Sequence, residues 1–71
     1  MPKLPNLTSK QIMAILEGKG FRLRRSSGSH FIFDNPETKR KVIVPYHTRD
    51  LPKGTLLSIL KQAGISKDEL S

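Results

Sequence analysis

Hydrophobic periodicity changes twice along this chain, and the two changes leave few architectures open. Ile12, Ile15 and Leu16 recur at helical spacing with Met13 on their flank, until Gly18 and Gly20 supply stop signals. Thr8 and Gln11 just ahead fit a capping box, so a helix is expected over residues 9–18. From Phe21 the period becomes two, with Phe21 and Leu23 on one side and Arg22 and Arg24 on the other. Residues 26–29 (Ser-Ser-Gly-Ser) read as a turn, residues 30–33 as a second strand, and residues 34–37 (Asp-Asn-Pro-Glu) as another turn. A third, β-branched strand is expected from Arg40 to Val44, stopped by Pro45. The helical period returns with Leu56, Ile59, Leu60 and Ala63, after Pro52 and before Gly64. Ser66 and Glu69 fit a further capping box, and residues 1–6 read as an extended lead-in.

The order is therefore α-β-β-β-α. Two amphipathic helices need an apolar surface, and one face of a three-stranded antiparallel sheet is the only candidate. The fold class expected is α+β, a two-layer sandwich. At 71 residues the chain holds one domain, residues 1–71. No cysteine is present, which excludes a disulfide staple, a thiolate metal site and a cysteine nucleophile. The longest apolar run is five residues, Ile12 to Leu16, so no membrane span is expected. Thirteen Lys and Arg against six Asp and Glu leave a formal charge of +7, which favours a polyanionic partner. A soluble, cytoplasmic protein is the expectation.

Alternation sorts the two sheet faces. Phe21, Leu23, Phe31, Phe33, Val42 and Val44 form the bulkiest set and should lie under the helices. Arg22, Arg24, His30, Ile32, Lys41 and Ile43 then share the opposite face. A slip of one residue would bury two arginines and a lysine, so this register is strongly favoured. The opposite face is basic and carries one imidazole among exposed isoleucines. From Lys19 to His30 there are four Lys or Arg and no acid.

An imidazole titrates close to neutral pH and can take or give a proton there. RNA transesterification needs that: the ribose 2′-OH loses a proton as it attacks the neighbouring phosphodiester, and the leaving 5′-oxygen gains one. Arg22, Arg24 and Lys41 could stabilise the added negative charge, and Gly28 with Ser29 would let a phosphate approach the backbone. A lone histidine in a small basic domain is more commonly a surface residue than a catalyst, and composition does not lift His30 above that. His47 reads as a loop residue. Two histidines without a carboxylate cluster make a weak metal site, so neither metal nor cofactor is expected.

Four blocks carry a resemblance: Gly20-Phe21, Gly28-Ser29-His30, Val44-Pro45-Tyr46-His47 and the run from Gly54 to Ile65. Their order, between about Thr8 and Leu70, resembles the HicA-type toxins, also called the YcfA-like family. The resemblance implies a double-stranded-RNA-binding-domain-like fold and a ribosome-independent mRNA interferase, the toxin of a type II toxin–antitoxin pair. It implies catalysis by His30, and a HicB-type antitoxin that covers the active face, for which Ile32 and Ile43 are the candidate contacts. The partners expected are thus mRNA and a HicB-type antitoxin, with a monomer alone and a hetero-oligomer in complex. Two other readings share the same face: a non-catalytic RNA-binding module, and a protein-interaction module built on the isoleucines.

Overall fold

A computed structural model describes residues 5–70, so residues 1–4 of the expected lead-in lie outside the described residues. The elements are helix α1 (Ser9–Gly18), strands β1 (Arg22–Ser27), β2 (His30–Asp34) and β3 (Lys41–Pro45), helix α2 (Lys53–Ala63), and a final 3-10 turn (Lys67–Leu70). The α-β-β-β-α order is the one expected, and the sheet is antiparallel with strand order β1-β2-β3.

Local chemistry accounts for the boundaries. The Gln11 amide donates to Thr8 Oγ1 at 3.2 Å while Thr8 N–H donates to Gln11 Oε1 at 2.9 Å, which completes the capping box of α1. Helix α2 ends at Gly64 with φ +72°, a left-handed conformation that glycine adopts without strain. At the end of α2 the Arg40 guanidinium donates to the Gln62 carbonyl oxygen. Ser66 N–H donates to Glu69 Oε2 at 2.8 Å, and the Lys19 ammonium meets Glu69 Oε1 at 2.6 Å, tying the final turn to the end of α1.

The β1–β2 turn is tighter than expected: only Gly28 and Ser29 form the loop, and β1 continues to Ser27. Gly28 holds φ +60°, the conformation that the first loop position of a two-residue hairpin favours. The third strand is shifted by one residue and includes Pro45 as its last member. Proline is tolerated there because β3 is an edge strand.

One core forms between the helices and one face of the sheet. Ile12 and Leu16 of α1 and Leu56, Ile59, Leu60 and Ala63 of α2 meet Phe21, Phe33, Val42 and Val44, with Leu51 and Ile65 closing the ends. Phe31 is half-buried against this core, and the Tyr46 ring meets it edge-on at 5.7 Å. Leu23 departs from its expected place: it is 51% exposed rather than covered. Both helices pack over β3, so β1 overhangs and its helix-side residues have no cover. Ser9 is fully buried, donating from Oγ to the Pro45 carbonyl and accepting from His47 N–H, both at 2.8 Å. That bridge pins the end of β3 and the following loop to the start of α1.

Candidate functional site

The solvent face of the sheet is built by register. His30 pairs with Pro45, Ile32 with Ile43, and Asp34 with Lys41, so these six side chains form three rows on the face away from the helices. Strand β1 adds its residues irregularly. Leu23 pairs with Phe33 but Arg25 pairs with Ile32, which leaves Arg24 as an extra residue in β1. A bulge of this kind resets the alternation beyond it. Arg25 and Ser27 therefore stand opposite Ile32 and His30, on the face that strict alternation would deny them. Arg24 and Arg25 together line a depression of about 380 Å³ with Ile32, Asp34 and Lys41.

The expected site residues are thus placed as follows. His30, Arg22, Arg24 and Lys41 are exposed, Gly28 and Ser29 form the adjoining hairpin loop, and Ile43 is 48% exposed. Ile32, expected to be exposed, is half-buried between its neighbours. The positive charge is also less unopposed than the linear sequence implied. Asp34 shares the face, and its Oδ2 lies 3.3 Å from Arg24 Nε. Its other oxygen, Oδ1, is buried without a hydrogen-bond partner. Arg22, Arg25 and Lys41 make no ion pair among the described residues.

Helix α2 extends the site past the edge of β3. A groove of about 410 Å³ runs between His30 and Ile43 on the sheet and Thr55, Ser58 and Gln62 on α2. Gln62 holds this wall in place: its Oε1 accepts from Ile43 N–H and its Nε2 donates to Ser58 Oγ, each at 3.3 Å. Sequence reasoning missed Arg25, Thr55, Ser58 and Gln62. The three α2 residues had a usable signal, since Thr55, Ser58 and Gln62 form a polar stripe at helical spacing beside the apolar one. Arg25 had none, because the bulge has no glycine to announce it.

The arrangement sets an imidazole at one end of a groove and at least three cations along the adjoining face. Among the described residues, no group of three or more His, Cys, Asp or Glu could hold a metal ion. No helix among them is long and apolar enough to cross a membrane. A family model described as "HicA toxin of bacterial toxin-antitoxin" matches residues 9–65, most of the chain and all five principal elements. The chain belongs to the HicA toxin family. A search of curated proteins found no match. Membership makes this HicA-family protein a toxin of a toxin–antitoxin system. The matched span takes in His30, the bulge and the α2 wall of the groove, and it stops short of the final 3-10 turn.

Proposed function

We propose that this HicA-family toxin is a ribosome-independent mRNA interferase, an endoribonuclease in which His30 is the general acid–base residue. The observation that supports the reading best is the company His30 keeps: an exposed imidazole shares one sheet face with Arg22, Arg25 and Lys41. In this reaction the 2′-oxygen of the RNA bonds to the adjacent phosphorus and the bond from phosphorus to the 5′-oxygen breaks. His30 takes the proton of the 2′-OH, and a solvent water donates a proton to the departing 5′-oxygen as it leaves. Arg22, Arg25 and Lys41 stabilise the charge that builds on the phosphoryl oxygens, joined by Arg24 where it escapes Asp34. The Gly28-Ser29 loop flanks the reacting phosphate. RNA supplies the nucleophile, so the step requires no metal. The products are a 2′,3′-cyclic phosphate and a 5′-hydroxyl.

In this reading one toxin domain spans residues 1–71, acts in the cytoplasm on mRNA, and is a monomer until a HicB-type antitoxin covers the face. Ile43 and the rim of Ile32 supply the apolar centre of that interface.

Incubating RNA with wild type and His30→Ala, each with and without EDTA, tests the proposal. His30→Ala should lose about 10²–10⁴-fold in cleavage rate while still binding RNA. Wild-type cleavage should survive chelation and leave cyclic phosphate termini. Equal cleavage by the two proteins would refute the role of His30 and leave an RNA-binding module as the reading of this face.

A further inference from the structure

A three-stranded open sheet has two edges, and in this molecule they are treated differently. At the outer edge of β3 the Gln62 side chain of α2 accepts the outward N–H of Ile43 at 3.3 Å. The outer edge of β1 is open. All six of its residues are exposed, and among the described residues no other element hydrogen-bonds its outward backbone. Alternate residues of such an edge direct N–H and C=O groups into solvent, where an incoming strand can pair with them.

The side chains on β1 select which strand. Arg22, Arg24 and Arg25 line the solvent face of the edge, and Leu23, half-exposed, lies on its helix side. A second copy of this chain would bring these arginines against their own counterparts, and like charges across a strand pair are destabilising. The bulge at Arg24 bends this edge, so an added strand pairs in two short stretches, beside Arg22 and Leu23 and beside Arg25 to Ser27. An extended segment that alternates acidic and apolar residues meets the opposite situation. Its carboxylates face the arginines, and its apolar residues cover Leu23. A peptide backbone offers N–H and C=O in the alternation this edge requires, whereas RNA offers acceptor phosphates and only the sugar 2′-hydroxyl as a backbone donor.

We propose that β1 is the docking edge for an extended acidic segment of the antitoxin, which adds to the sheet as a fourth strand. The proposal rests on the reading that a HicB-type antitoxin neutralises this toxin. Strand addition couples neutralisation to the active face, since the added strand carries its carboxylates onto Arg24 and Arg25 beside Ile32.

Hydrogen exchange of the toxin, free and in complex with its HicB-type antitoxin, tests this directly. Amides within residues 22–27 should slow by about tenfold or more in the complex, the sign of new backbone pairing. Leu23→Glu, which puts a carboxylate where an apolar residue is required, should weaken the complex by about tenfold or more. The same variant should keep the wild-type fold and RNA cleavage, because Leu23 touches neither the core nor the groove. If a complex forms while the amides of residues 22–27 exchange as in the free toxin, strand addition is refuted and the antitoxin reading stands. Failure of the two proteins to associate would overturn that reading and this proposal with it. Equal slowing of the same amides by an oligoribonucleotide alone would reassign the edge to RNA.

Discussion

Replacing Ser9 by alanine removes one oxygen from a position that water does not reach. The lost hydroxyl donates to the Pro45 carbonyl and accepts from the His47 amide, so one substitution strands a backbone acceptor and a backbone donor. Both contacts are only partly buried, and water can reach the orphaned groups after local adjustment. Each loss therefore sits near the ordinary net value of about 1 kcal/mol rather than the full desolvation penalty. Alanine in the first turn of α1 returns roughly 0.5 kcal/mol of helix propensity. The net expectation is a destabilisation of about 1.5 kcal/mol. A chain of this length holds about 4–11 kcal/mol in total, so that is a sizeable share. The melting temperature should fall by about 6–12 °C. Equilibrium urea unfolding followed by far-UV circular dichroism measures the change, with Thr8→Ala as the exposed-cap control at about 1 kcal/mol. Only Ser9→Ala should also speed exchange of the His47 amide. A loss below about 0.5 kcal/mol, or an unchanged His47 amide, would refute the bridge as the link between α1 and the end of β3.

Asp34→Asn should free Arg24 for phosphate and steepen the salt dependence of RNA binding by about 0.7 in log–log slope, while Arg25→Ala should flatten it by a similar amount. Fluorescence anisotropy across a salt series reads both. Ile43→Asp should leave the melting temperature near wild type yet weaken antitoxin binding by about tenfold or more in calorimetric titration. Ile32→Asp, at a half-buried position, should lower both. The Glu69 carboxyl is held below its ordinary value by the hydrogen bond from Lys19 and then by the Ser66 amide. Its contribution is therefore present above the unfolded carboxylate value and is lost as pH falls through the lowered one. Glu69→Gln should remove that acid-side component, as urea midpoints at descending pH would reveal.

The order of elements and most of the core were legible because periodicity and caps agree along this chain. Thr8 with Gln11, Gly64 after the Leu56 stripe, and the alternation of Phe31, Phe33, Val42 and Val44 each point to one local answer. Leu23 was not legible, because alternation says which face a residue occupies and nothing about where the helices lie across that face. Here they sit over β3, and β1 is left uncovered. The phase error at Arg25 has a different origin. Ser26 and Ser27 carry too little hydrophobic contrast to reveal that the pattern has slipped, so only the pairing with Ile32 exposes the bulge. Asp34 stands in a turn-like run of the sequence, yet the register puts it between Arg22 and Lys41.

The distribution of the core along the chain also sets when its fold can be completed during synthesis. Of the twelve buried apolar side chains among the described residues, five (Leu56, Ile59, Leu60, Ala63 and Ile65) come from α2 and the segment just after it. A ribosome adding about 5–20 residues per second synthesises His30 and the arginines before it supplies those five. Until then the meander has only α1 over its apolar face, and the core lacks five of its twelve buried apolar side chains. The groove beside His30 likewise lacks its wall until Thr55, Ser58 and Gln62 have emerged. On the proposed reading, the site beside His30 is therefore complete only once the second helix is in place.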